Sequence, residues 1–164
     1  MPNWEIHKKW DSKLGIPPDI SDYIQKAIDS KSSADKKIPM PEDFRQHTEE
    51  RKIEWANHSN FSINDLNPKL HDRAKNKIIQ KQDLQFLLIK GTDFIRAYYA
   101  HFILDYLNGT SIRQLLDRGT SVSECIDKYY KHKAVSLPET AEYLTSVMDF
   151  LKSHAQEIKE DLGI

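Results

Sequence analysis

The stretch TDFIRAYYAHFILDYLN, residues 92–108, decides how the rest of the chain is read. Phe94, Ile95, Ala97, Tyr98, Tyr99, Ala100, Phe102, Ile103, Leu104, Tyr106 and Leu107 leave little room for a polar face. A helix that is apolar nearly all round is the buried, central helix of its domain. Thr92 is expected to cap it and Asn108-Gly109 to stop it. Two residues do not fit an oily interior. His101 and Asp105 stand four apart and so share one face of the helix. Unpartnered buried polar groups cost about 1–3 kcal/mol each, so both residues require partners, and the functional question is what those partners are.

The flanking segments are helical as well, with no alternating strand pattern. Residues 3–14 form a first helix, opened by Asn3 and stopped by Gly15, with Trp4, His7, Trp10, Asp11 and Leu14 on one face. After the turn at residues 15–18, a second helix at 19–30 buries Ile20, Tyr23, Ile24, Ala27 and Ile28. Residues 31–41 are polar and proline-punctuated, as in a flexible connector. A helix is expected over 42–57 and a short turn of helix over 62–66. Asn67-Pro68 then starts a helix running to Lys90, with Leu70, Ala74, Ile78, Leu84 and Leu88 inward and Gly91 as its stop.

Beyond the central helix, 111–118 and 122–133 read as two shorter helices, the second announced by the capping pair Ser121 and Glu124. Ser136 and Glu139 repeat that pair before a long C-terminal helix over 137–162. Its seam of Leu137, Ala141, Leu144, Met148, Leu151, Ala155, Ile158 and Leu162 could pack on the domain or on a second copy as a homodimer. The expectation is an all-α fold: a single-domain helical bundle over 1–164, of about seven helices, built around 92–108.

Composition narrows the function classes. A chain of 164 residues suits one domain with a proper core. The formal net charge of −1 supplies no global field for nucleic acid or an acidic membrane. Residues 111–132 could form a DNA-reading helix pair, but this near-neutral balance favours an ordinary helical hairpin. The lone Cys125 offers neither a disulfide framework nor a cysteine zinc motif, and it reads as a small buried hydrophobe. No apolar run reaches membrane-spanning length, and the N-terminus lacks the apolar core of a signal peptide. These features together predict a cytoplasmic protein.

The chemistry lies in three His/Asp sets: His7 with Asp11, His71 with Asp72, and His101 with Asp105. The first and third are the same device, His-x-x-x-Asp on an otherwise apolar helical face. Imidazole and carboxylate are ligands for zinc, iron or manganese, and facing helices of a bundle can converge such groups on one point. A divalent ion would offset the cost of burying the carboxylates and activate bound water. Plain structural service is the competing account: each His could bond its own Asp, and Asp105 could pair with Arg96 or a tyrosine hydroxyl.

An isolated His7, an adjacent His71-Asp72 and a later Asp105, all on predicted helices, resemble the HD superfamily of metal-dependent phosphohydrolases. The resemblance spans at most residues 3–108, and His47 could stand in for His7. It implies that His7, His71, Asp72 and Asp105 hold the metal, and that the reaction is hydrolysis of a nucleotide or another phosphorylated small molecule. His101 would be a further ligand or an acid/base beside the bound water. Arg73, Lys75 and Lys77 would be candidates to steady a phosphate, although a plain exposed basic face explains them as well. The alternative reading is a non-catalytic interaction or scaffold protein that self-associates through its C-terminal helix.

Overall fold

The computed structural model describes residues 4–29 and 77–164, which form eight helices and no strand. They are α1 (Trp4–Lys13), α2 (Pro18–Asp29), α3 (Lys77–Lys90), α4 (Thr92–Leu107), α5 (Thr110–Asp117), α6 (Val122–His132), α7 (Ala141–Ser153) and α8 (Ala155–Asp161). The expected connector at 31–41, the helix at 42–57, the turn at 62–66 and the start of the helix from 68 lie outside the described residues.

The near-continuous apolar run of α4 does what its composition requires. Ile95, Ala97, Tyr98, Tyr99, Ala100, His101, Phe102, Ile103, Leu104 and Leu107 are all buried, because α1, α2, α3, α5, α6 and α7 pack around the helix. Its N-cap is Gly91 rather than Thr92, and no side chain caps the helix. Gly91 alone joins α3 to α4, and its φ of 141° lies where an L side chain would be strained. Gly15, at φ 80°, ends α1 in the left-handed conformation. The Ile16 amide then bonds back to the Asp11 carbonyl at 2.9 Å, which turns the chain into α2 and buries Ile16.

Polar ties from α4 fix the helices around it. Tyr98 donates to the Asp83 carboxylate of α3 at 2.9 Å. Arg96 bonds Asp93 and the Leu14 carbonyl at the end of α1, so it is spent on the backbone of its neighbour. On α3 Gln80, Gln82, Asp83, Leu84, Phe86 and Leu87 are buried, Leu84 as its spacing predicts, whereas Ile78 is 61% exposed, contrary to the spacing. Cys125 is fully buried, as a small hydrophobe should be.

The C-terminal segment departs from the expected single helix over 137–162. Residues 137–140 form a turn, and the chain breaks again at His154 between α7 and α8. The Ser136/Glu139 capping pair does not form. Thr140 is the N-cap instead, with its hydroxyl taken by the Leu137 amide and by Tyr99 of α4 at 2.8 Å. At the second break, Ser153 Oγ donates to the Phe150 carbonyl and His154 Nδ1 meets the same oxygen at 2.9 Å, so side chains compete with the helical ladder. The seam still serves the bundle: Leu144, Met148, Leu151, Ile158 and Leu162 are buried within the chain.

The tyrosines packed on this seam predict alkaline sensitivity. Burial pushes the Tyr99 phenol up to about 12 from 10.0, outweighing its bond to Thr140, and burial raises the Tyr129 phenol as well. The folded state therefore keeps protons that the unfolded chain releases. This contribution is fully present below pH 10 and is lost as pH rises through about 12. Urea denaturation should give a constant stability at neutral pH and a fall of about 3 kcal/mol from Tyr99 alone above pH ~10. Tyrosinate absorbance should appear together with the loss of helical signal. Ionisation of the Tyr99 phenol itself in the folded protein near its ordinary value would refute this.

Candidate metal centre

Helix α1 presents His7, Trp10 and Asp11 to the interior within little more than one turn, and all three are buried. Helix α4 presents His101 and Asp105 one turn apart. Where the two helices meet, the His7 and His101 rings stack with centroids 4.2 Å apart and planes 11° from parallel. Both Nε2 atoms are thereby aimed at one carboxylate. His7 Nε2 lies 3.1 Å from Asp105 Oδ1, and His101 Nε2 lies 3.0 Å from Asp105 Oδ2. One nitrogen or oxygen from each of the three residues falls within 4.8 Å of the others.

The cluster is closed behind and open in front. The histidine side chains are 2% and 1% exposed, while that of Asp105 is 36% exposed. Burial alone would raise the Asp105 carboxyl. The hydrogen bonds and positive charge available from His101 and His7 outweigh it and hold this carboxyl well below the usual carboxylate range. Asp105 is thus held as an anion at neutral pH beside the two imidazole nitrogens.

Behind His101 lies a second layer from α2. Gln25 Oε1 is 2.8 Å from His101 Nδ1, and Gln25 Nε2 donates to Asp11 Oδ2 at 3.3 Å. Ser21 Oγ donates to the same Asp11 oxygen at 2.6 Å. Burial raises the Asp11 carboxyl above its ordinary value, in spite of these bonds and the nearby histidines. Asp11 therefore does not pair with His7 as their i,i+4 spacing allowed, but supports the layer outside the cluster.

Three of the candidate ligands, His7, His101 and Asp105, are brought together, although 98 residues of chain separate the first from the last. Asp105 uses neither Arg96 nor a tyrosine hydroxyl. His71 and Asp72, with His47, Arg73 and Lys75, lie outside the described residues. Lys77, the one described member of the basic group, is exposed at the start of α3. Gln25 and Ser21 were missed because α2 was read for its apolar stripe. The signal was available: Ser21 and Gln25 are four apart and flank Ile24, so the buried face of α2 carries a polar pair.

Two imidazole nitrogens and a carboxylate oxygen form a donor set suited to zinc, iron or manganese. No helix among the described residues is long and apolar enough to cross a membrane. No protein family, no curated protein and no solved structure matches this chain.

Proposed function

We propose that this is a metal-binding helical protein whose His7, His101 and Asp105 hold one divalent transition ion. The observation that carries this reading is the convergence of two buried Nε2 atoms on one anionic carboxylate at 3.0–3.1 Å. Zinc, iron and manganese all suit the donors, and the residues alone do not rank them.

The finer proposal is a phosphohydrolase of the HD kind, acting on a nucleotide or another phosphorylated small molecule. It draws support from residue order, since the first and last members of that order, His7 and Asp105, are in contact. When bound, a divalent ion of this type supplies a nucleophilic hydroxide near neutral pH. The chain's own residues do the rest. The buried histidines exclude solvent from behind, and the exposed edge of Asp105 leaves a substrate its approach. Both ring nitrogens of His101 face groups in the structure, Gln25 on one side and Asp105 on the other, which favours ligation over acid/base work for this residue. The interaction-protein alternative loses ground because Leu144, Met148, Leu151 and Ile158 of the apolar seam are already buried within the chain.

Elemental analysis of the purified protein should find about one transition ion per chain. Chelation should remove it, and reloading with zinc or manganese should raise the melting temperature. An ion present at a hundred times its dissociation constant adds about 2.7 kcal/mol. Protein that neither carries metal as isolated nor is stabilised by any of the three ions would end the proposal. Metal uptake without hydrolysis of p-nitrophenyl phosphate, its diester or a nucleotide panel would remove the hydrolase reading and leave the centre standing.

A further inference from the structure

We infer that Gln25 is a positioning residue that fixes His101 as an Nε2 ligand, and that Asp11 sets the orientation of Gln25. The inference rests on the metal centre proposed above, and it follows from donor and acceptor logic along one chain of contacts. Asp11 is 1% exposed, and as a carboxylate it can only accept hydrogen bonds. The end of the Gln25 amide that faces it at 3.3 Å is therefore the NH₂ group. Ser21, donating at 2.6 Å, holds the same carboxylate oxygen in place. The other end of Gln25 is then its carbonyl oxygen, 2.8 Å from His101 Nδ1. An amide oxygen only accepts, so Nδ1 carries the proton and donates it. In the neutral ring, Nε2 is left with a lone pair directed at Asp105 Oδ2, 3.0 Å away. A lone pair and a carboxylate oxygen repel at that distance, so a proton shared with Asp105 or a metal ion must lie between them.

This is the arrangement that a metal-binding histidine uses: the far ring nitrogen donates to an oxygen, which selects the tautomer and orients the ring. The other histidine lacks it. His7 Nδ1 is buried and makes no hydrogen bond among the described residues. The two imidazoles are therefore not equivalent. His101 is set in advance by α2, whereas among the described residues His7 is held by ring stacking and by Asp105. Loss of the Gln25 oxygen should weaken the centre by way of His101 without removing any ligand.

The test uses the full chain, with Zn²⁺ and Co²⁺ as separate probes. Gln25→Leu keeps the volume and removes the acceptor, and it should weaken binding of both ions about 10- to 100-fold. The doubly exchanged variant Asp11→Asn/Gln25→Glu reverses the partners while still offering His101 an oxygen, and it should recover most of that loss. The Co²⁺ absorption bands should shift in the first variant and return in the second. In the metal-free wild type, nitrogen chemical shifts should place a proton on His101 Nδ1. A bare Nδ1 would overturn the inference whatever the variants do, so it can be tested even if Gln25→Leu folds poorly. Wild-type metal binding with an unchanged Gln25→Leu affinity would overturn this inference alone. A wild type that takes up neither ion would overturn the centre and this inference together.

Discussion

Asp105→Asn is expected to lose measurable binding of zinc, iron and manganese, a drop well beyond the roughly 10- to 100-fold seen when a supporting group outside the ligands is removed. Among the described residues Asp105 is the only carboxylate of the cluster, and it touches both histidines, through Oδ1 and Oδ2. An asparagine of the same shape keeps the packing but offers one neutral oxygen, and its amide NH₂ would face one imidazole as a donor. The fold should survive, because the side chain is 36% exposed and its neighbours on α4 supply the core. The sign of the stability effect follows from the depressed carboxyl. Its contribution is present above the unfolded value of 3.8 and is lost as pH falls through the lower folded value. At neutral pH the metal-free variant should thus be somewhat less stable than the wild type, by on the order of 1 kcal/mol after solvent screening. Isothermal titration and a helical spectrum on the same sample separate the two effects. An Asp105→Asn protein that binds metal as tightly as the wild type would exclude the cluster as the site.

The sequence made the central helix legible because a segment apolar on every side has only one stable place, and ten buried residues of α4 occupy it. It also marked His101 and Asp105 as neighbours, since one helix fixes that distance. Which residue would meet them from elsewhere depended on how α1, α2 and α4 pack. The spacing of His7 and Asp11 was the same device, yet Asp11 is taken by Ser21 and Gln25, and His7 crosses to α4 instead. Local pattern cannot decide between an i,i+4 partner and a partner on a facing helix. The C-terminal seam teaches the same limit. Its apolar period passes through the break at His154, because Leu151 and Ile158 stay buried on either side. Periodicity reports the face and does not register side chains that bond to their own backbone. At Thr140, a hydroxyl from α4 overrides a capping pair that reads well in isolation.

Trp10→Ala is expected to be the most destabilising single change in α1, and to weaken metal binding without touching a ligand. The indole is fully buried. It packs edge-on against Phe150 and His154, with centroids 6.4 and 5.7 Å away, and its Nε1 donates to Asp161 Oδ2 at 2.9 Å. One side chain thus joins α1 to the end of α7 and to α8, beside the Lys9–Asp161 bond of 2.8 Å. Truncation leaves a cavity worth roughly 3–5 kcal/mol, a large part of the roughly 5–15 kcal/mol that holds a domain folded. The exposed ion pairs of Lys9 and Lys13 with Glu157 cannot make good that loss. His7 lies one turn before Trp10 on the same helix, so α1 would lose the anchor that keeps the imidazole against Asp105. Trp10→Phe separates the terms: it keeps most of the ring contact, loses the bond to Asp161, and should cost about 1–2 kcal/mol. If denaturation showed Trp10→Ala and Trp10→Phe to be equally mild, α1 would be held by its ion pairs and its contacts with α2. The site would then owe its geometry to α2 and α4, and Gln25 rather than Trp10 would be the residue whose loss the metal feels most.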